Sequence, residues 1–357
     1  MNFVMNKNDP AMMRTLIQAS KCRILVIVLG LLNAQATWAT VHTVSNTGGS
    51  QFSDINSAVV AAAIGDTIYV GGSNTFYVPP TTRKDNLIFI GAGYHPQKQN
   101  PLGTHITGSF FNVGNNNRIM AMSISCYINY VDGTSSLTIE RCLLSNSLNS
   151  NGSLLCSNLV IRDCACSNLL MSGNKITNCL ISNTIFYKSI SYGFFSSMNL
   201  ASNMILDHCV FLNTSGAPQP VIENHQSGSN FSFSNCIFFN SLPLFNLNMT
   251  YVNNFSGYSS LNNYGTGNLV STVWPFVSPQ NSTSGVFQKE WDFTIHPSSV
   301  AINAATDGTD LGIYGGAYPY RYDGAASIPQ MDSMSVIGTQ FISGGTMPIK
   351  FQASIKD

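Results

Sequence analysis

The chain is predicted to fold as an all-β, right-handed parallel β-helix, a solenoid with a short N-terminal capping helix, and three observations predict it. First, a phrase recurs through the middle of the chain: Leu137-Thr138-Ile139-Glu140-Arg141-Cys142, Leu159-Val160-Ile161-Arg162-Asp163-Cys164, Leu180-Ile181-Ser182-Asn183-Thr184, Ile205-Leu206-Asp207-His208-Cys209 and Ser232-Phe233-Ser234-Asn235-Cys236. Aligned on Ile139, Ile161, Ile181, Leu206 and Phe233, the copies lie 22, 20, 25 and 27 residues apart, the length of one solenoid coil and too short to build a separate core. Second, apolar and polar residues alternate within a copy and a bend follows, the pattern of a strand with one buried face. Third, only 9% of the residues are charged, so the polarity comes from Ser, Asn, Thr and Gly, which tight turns require.

The elements follow in order. Residues 1–39 read as a secretory signal peptide, with Arg14, Lys21 and Arg23 ahead of the apolar run 24–32 and small residues up to Thr37-Trp38-Ala39. That run falls short of the ~20 residues a spanning helix needs, so no stable membrane span is expected in the mature chain. The β-helix domain is expected over 40–324 and a β-rich C-terminal extension over 325–357. Val41-His42-Thr43-Val44 reads as a strand. Residues 53–64 read as an amphipathic helix started by Ser53 or Asp54, with Phe52, Ile55, Val59 and Ala62 on one face, placed to cover the open end of the stack. A strand resumes at 67–70, and the next coils carry 86–94 and then 117–120. The segment 94–104, rich in Pro, Gln and Asn, is the first candidate for a functional excursion. Residues 243–285 then interrupt the repeat with Tyr251, Tyr258, Tyr264 and Trp274.

Columns of the repeat carry further expectations. Cys142, Cys164, Cys209 and Cys236 share one column, where small apolar side chains suit a dry interior, so stacked buried thiols are expected. Only Cys164 and Cys166 are close in sequence, which does not make a metal site, and no cofactor is expected. Asn146, Asn168, Asn213 and Asn240 recur four residues after the Cys position, as a repeated left-handed bend with coil-to-coil amide bonds would require. Without the leader, which takes four bases and one acid from the 16 of each, 12 Lys and Arg stand against 15 Asp and Glu, a net charge of −3. No basic patch invites nucleic acid.

Four stretches carry a likeness to a known group: Gly65-Asp66-Thr67-Ile68-Tyr69-Val70, Leu87-Ile88-Phe89-Ile90-Gly91-Ala92-Gly93-Tyr94, the Ile-x-x-Cys coils, and Pro297-Ser298-Ser299-Val300-Ala301-Ile302-Asn303-Ala304 followed by Asp310-Leu311-Gly312-Ile313-Tyr314-Gly315-Gly316. Over about residues 41–322 the chain resembles the secreted bacterial right-handed parallel β-helix proteins of the pectin-lyase-like superfamily, Bacteroidetes type. The resemblance implies the fold and a range of functions: pectate lyases, polygalacturonases, other polysaccharide enzymes and phage adhesins. It implies that a lyase would carry an acidic calcium cluster, an exposed Arg or Lys base and a groove along one sheet, and that a hydrolase would carry clustered Asp residues. Neither pattern is evident in the sequence.

Two polar columns precede the Cys position: Glu140, Arg162, Ser182, Asp207, Ser234 and Arg141, Asp163, Asn183, His208, Asn235. A coil spacing of ~4.8 Å brings Glu140 beside Arg162 and Arg141 beside Asp163, as ion pairs worth a few tenths of a kcal/mol each. A catalytic reading would set Asp207 or His208 as acid or base beside Arg162, with Lys175, Lys188, Glu223 and His225 on adjacent loops. Ion pairing is preferred, because opposite charges on neighbouring rungs account for themselves. Tyr251, Tyr258, Tyr264 and Trp274 are the candidates for stacking on sugar faces, against the alternative that they pack their segment onto the body. His42, His95, His105 and His296 read as structural, and Asp307 and Asp310 as turn caps. The function expected is that of an exported, non-enzymatic extracellular or surface protein that binds a polysaccharide or cell-surface glycan. The alternative is a polysaccharide lyase or glycoside hydrolase acting on an acidic polysaccharide.

Overall fold

The central residue of each phrase is buried and pairs with its counterpart one coil away: Ile139 with Ile161, Ile161 with Ile181, Ile181 with Leu206, and Leu206 with Phe233. Register of this kind is dictated by the alternation itself, since a one-residue slip would turn the apolar set outward. The computed structural model describes residues 39–94, 102–129, 134–146, 148–149, 155–167, 169–170, 175–188, 195–196, 200–213, 219–223, 229–242, 248–278, 288, 291–322, 324–326, 330–336 and 349–354. The predicted leader lies outside them, apart from its last residue. Among the described residues no helix is long and apolar enough to cross a membrane.

Parallel ladders form the solenoid. The first sheet has ten strands: Val41–Val44, Thr67–Val70, Ile88–Gly91, Arg118–Met120, Thr138–Glu140, Leu155–Arg162, Lys175–Ser182, Leu200–Asp207, Phe231–Ser234 and Met249–Val252. The second has nine, from His105–Ile106 to Leu269–Val270. Shorter ladders close the third side, one through Phe110–Asn112, Tyr127–Asn129 and Leu148–Asn149, another through Leu169–Leu170, Phe195–Ser196 and Ile222–Glu223. This is the parallel β-helix expected from the repeat. Gln330–Val336 and Ile349–Ser354 form a separate antiparallel pair.

The interior is built from repeated columns. Phe186, Phe211 and Phe238 stack with ring centroids 5.0 Å apart at each step. Phe233 and Tyr251 stack at 5.1 Å. Cys142, Cys164, Cys209 and Cys236 are buried free thiols, as their shared column predicts. Each thiol faces a carbonyl of the preceding coil, as Cys142 faces Ile119 O and Cys236 faces Leu206 O, so a weak donor is satisfied inside an apolar stack.

The capping helix, α1 (Ile55–Ala61), is shorter than the predicted span. Asp54 accepts a hydrogen bond from Ser57 N at 2.8 Å and starts it. Ala62 is already extended and donates back to Ala58 O, because the chain must turn at Gly65 (φ +92°) to enter the next strand. Ile55, Ala58, Val59 and Ala62 join the main core.

The left-handed bends do not lie where the Asn column predicts. Among the described members of that column only Asn240 has positive φ; Asn146 and Asn213 do not, and Asn168 lies outside the described residues. The bends fall instead at the residue before the Cys position, where the chain turns from the first sheet into the second. Ala121, Arg141, Asp163, Asn183, His208, Asn235 and Asn253 all have φ between 46° and 58° there. A second left-handed column comprises Asn86, Asn116, Ser136, Asn158, Asn178 and Asn203. The expected coil-to-coil amide bonds occur in it, Asn203 Nδ2 donating to Asn178 Oδ1 at 2.8 Å and Asn178 Nδ2 to Asn158 Oδ1 at 3.3 Å.

The outer face of the second sheet is covered. Ala165, Ile185, Val210, Leu212, Ile237 and Phe239 point away from the solenoid interior and pack under Phe276, Phe293, Ile295, Ala301, Leu311 and Ile313 as a second core. The chain that follows the last strand of the second sheet thus folds back over the coils that precede it.

Candidate functional site

The corner column holds this return segment, residues 301–322 and 324–326, almost coil by coil. Asn253 Nδ2 donates to Ala304 O at 3.1 Å. Asn235 accepts from Thr306 N at 2.8 Å through Oδ1 and from Gly312 N at 2.9 Å through its carbonyl. Asn183 Nδ2 donates to Ile313 O at 2.9 Å and to Gly315 O at 2.8 Å. Asp163 Oδ1 accepts from Arg321 N at 2.6 Å, and Arg141 Nη1 donates to Ala325 O at 3.1 Å. The segment therefore runs back along the corner towards the N-terminal coils. Left-handed geometry aims each of these side chains out of the stack, which lets one column of the repeat act as a docking strip.

Beside that strip, between the first sheet and residues 317–321, lies a groove of about 880 Å³. Thr67, Ile88, Ile90, Arg118, Met120, Glu140 and Arg162 project into it from successive rungs, and Arg141 and Asp163 line its corner edge. Ile90 and Met120 pack with Ala121 and Ala326, which gives part of the wall an apolar surface. Glu140, 2% exposed, sits between two guanidiniums. Arg118 Nε donates to its Oε2 at 2.6 Å, and Arg162 Nη2 pairs with its Oε1. Arg141 Nε donates to Asp163 Oδ2 at 2.9 Å. Both expected ion pairs are thus present, and Arg118 extends one of them by a further coil. Four arginines, Arg118, Arg141, Arg162 and Arg321, line the groove against two carboxylates, Glu140 and Asp163.

Tyr318 completes the rim. The Arg162 guanidinium lies 5.0 Å from its ring centroid, a cation–π contact, and the residue is nonetheless 63% exposed. Burial pushes the Asp163 carboxyl up to about 7, against the downward pull of the Arg321 amide and the Arg141 guanidinium. Both of its oxygens are occupied by those donors, so it is poorly placed to exchange a proton with a ligand.

The predicted catalytic residues Asp207 and His208 do not stand beside Arg162. In the outward column Arg162 is followed by Ser182 and then Asp207, so Asp207 stands two rungs, about 10 Å, from Arg162. Asp207 Oδ1 accepts from Ser234 Oγ at 2.7 Å and from Asn235 Nδ2 at 2.8 Å. Although burial pushes its carboxyl upward, His208, Ser234 and Asn235 outweigh that and hold it below the ordinary range. His208 is 2% exposed, beneath Thr309, Gly315 and Gly316. Its Nδ1 lies 3.0 Å from Asp207 Oδ2. A Cβ at Gly315 would fall 2.6 Å from His208 Cδ2, so the return segment fits closely over this imidazole. Lys175, Lys188 and Glu223 lie on strands without a described side chain, and His225 lies outside the described residues.

The aromatic candidates divide. Tyr251 is 1% exposed and stacked inside the solenoid, so it has no face to offer a ligand: its position continues the inward column of Phe233. Trp274 packs edge-on against Phe239 at 4.1 Å in the second core. Tyr258 is half-buried beside a short 3-10 turn, and Tyr264 is 41% exposed. None of the four lines the groove. His42 pairs with Asp66 at 2.9 Å, and His296 Nδ1 meets Ser298 Oγ at 2.8 Å, both structural roles. His95 lies outside the described residues, as does most of the 94–104 excursion. Asp307 accepts from Thr309 N at 3.1 Å and Asp310 from Asn303 N at 2.9 Å, as turn caps do. Among the described residues no three His, Cys, Asp or Glu side chains converge as metal ligands would.

Sequence reasoning missed Arg118, Arg321 and Tyr318. Aligning Ile119 with Ile139 would have placed Arg118 on the outer face, since both residues are the inward member of their strand. Tyr318 has no such signal, because it stands outside the repeat.

No family model and no curated protein matches this chain. Among solved structures it is similar to the pectin methylesterase from Aspergillus niger in deglycosylated form, at 13% identity and a TM-score of 0.36, over 67% of this chain and 91% of that one. It is also similar to the same enzyme in penultimately deglycosylated form, at 11% identity and a TM-score of 0.36, over 72% and 92%. At such values the likeness adds nothing about activity. The parallel β-helix stands on the strand register of this chain itself.

Proposed function

We propose that this chain is an exported, non-enzymatic β-helix protein that binds an acidic glycan in the groove between the first sheet and residues 317–321. One observation carries the reading: four arginines face two carboxylates there, in a chain with no net positive charge, beside an exposed Tyr318. Guanidiniums held apart by a buried carboxylate keep donors directed at a second carboxylate. An aromatic ring and an aliphatic wall suit the apolar face of a sugar. Catalysis has less support, since Asp207 and His208 are committed to neighbouring groups and His208 is covered.

Titration of the protein with oligogalacturonate, oligomannuronate and a neutral chito-oligosaccharide tests this. Uronate oligomers are expected to bind, the neutral one to bind far more weakly, and Arg118→Ala with Arg162→Ala to weaken uronate binding by roughly tenfold or more. Equal binding of the neutral oligomer would overturn the reading. Release of unsaturated or reducing sugar, abolished by Asp207→Ala or His208→Ala, would establish the enzyme alternative instead.

A further inference from the structure

We propose that Tyr318 is the specificity-determining platform of the groove and that Asn183, which does not line it, is the residue that positions Tyr318; this rests on the glycan-binding reading above. The loop bearing Tyr318 is closed by Tyr320 N donating to Ile313 O at 2.8 Å. Its base is fixed to the solenoid at two places. Asn183, 3% exposed, donates from one amide nitrogen to both Ile313 O and Gly315 O. On the other side the hydroxyls of Tyr320 and Tyr94 meet at 2.8 Å, both residues buried. Between these anchors residues 317–319 project outward and are exposed.

Tyr318 is therefore an exposed aromatic on a loop whose two feet are buried. Burial of its own ring does not account for its position. The guanidinium of Arg162 covers one face of the ring and leaves much of the residue open beside the groove. A sugar whose carboxylate reaches Arg118 and Arg162 would lay its apolar face on that ring. Neutral sugars would gain the ring alone, and small carboxylates the arginines alone, so the pair selects for a saccharide that carries an acid.

Since the ring is placed by the loop and the loop by Asn183, loosening that anchor costs binding without touching the ligand. The coupling is reciprocal: ligand in the groove should hold the return segment more firmly to the corner.

The experiment is a double-mutant cycle on the affinity for the uronate oligomer that binds best, with thermal unfolding to verify each fold. Tyr318→Ala is expected to weaken binding by roughly three- to tenfold, and Tyr318→Phe to leave it near wild type. Asn183→Ala is expected to weaken it too, and to add little further loss in the Tyr318→Ala background. A merely structural defect would add its full loss there. If Asn183→Ala fails to fold, Tyr94→Phe removes the other foot and should give the same non-additivity. Uronate lost with the arginine variants but kept by Tyr318→Ala overturns this inference and leaves the glycan reading intact. No uronate binding by the wild-type protein overturns both. Additive losses from Asn183→Ala and Tyr318→Ala overturn the positioning role alone.

Discussion

Glu140 owes its burial to two partners on different rungs, Arg118 on the coil before it and Arg162 on the coil after. A carboxylate 2% exposed is costly to desolvate, and removing its charge would leave two guanidiniums facing each other at the groove. Both arginines keep a third or more of their side chains in water, which limits the penalty. Glu140→Gln is accordingly expected to destabilise the protein by about 1–3 kcal/mol in urea unfolding. A change of a few tenths would mean that the triad behaves as ordinary surface pairing. The thiols make a second case. Burial pushes Cys126 up to about 11 and Cys142 up to about 12, and pushes Cys164, Cys166, Cys179 and Cys236 upward as well. Protonated and inaccessible thiols do not attack disulfides. The native protein without residues 1–39, and so without Cys22, should therefore leave an aromatic disulfide reagent unreduced at pH 8 and react with it only after unfolding; prompt reaction in the native state would show that the column is open.

At the scale of single elements, the left-handed columns decide where each coil turns. Asn178 is held at φ 55° between Asn158 and Asn203, accepting from one and donating to the other. Alanine there would lose both amide bonds and face the left-handed penalty of roughly 1–2 kcal/mol, whereas glycine would lose only the bonds. Asn178→Ala should thus lower stability more than Asn178→Gly, as two chemical denaturation curves would reveal; equal losses would place the stabilisation in the amide bonds rather than in the backbone angle. This column also marks what could be read in advance. Coil length, inward residues and the Cys column were legible because stacking in register places like residues at like positions. The corner was not, because Arg141 is an uncommon choice for a left-handed bend, and with Asp163 and His208 it reads as a charged strand end. Their partners were hidden for another reason. Asn183, Arg141 and Asn253 grip backbone carbonyls of the return segment, and carbonyls leave no trace in a side-chain pattern. The ion pairs could be foreseen from the rung spacing, while Tyr318 reaches Arg162 from outside the repeat and could not.

Across the whole molecule the return segment turns a stack of nearest-neighbour coils into a cross-braced body, which ordinary solenoids lack. The molecule's hydrogen-bonded carboxylates, Asp163 at the return segment among them, give the fold a pH dependence with two limbs of opposite sign. Asp163 is raised, to about 7, from an ordinary value of 3.8, chiefly by burial. Between those values the folded form holds a proton that the unfolded chain has released, so stability rises as pH falls through 7 towards 4. Several carboxylates are shifted the other way. Burial raises Asp66, but the amides of Thr40 and Ala63 and the imidazole of His42 overcome it and leave it below 3.8. Asp207 is lowered by a similar balance, and Asp85 is lowered mainly by Asn115. For these the unfolded chain takes up protons first, so their stabilisation is present above 3.8 and is lost as pH falls through their folded values. The melting temperature is accordingly expected to rise from pH 8 to a maximum near pH 4–5 and to fall steeply below it. Asp163→Asn should flatten the limb above the maximum and spare the acid limb, while Asp66→Asn should do the opposite. A wild-type melting temperature that falls steadily from pH 8 to pH 5 would show that Asp163 stays ionised throughout, with the Arg141 guanidinium and the Arg321 amide outweighing its burial.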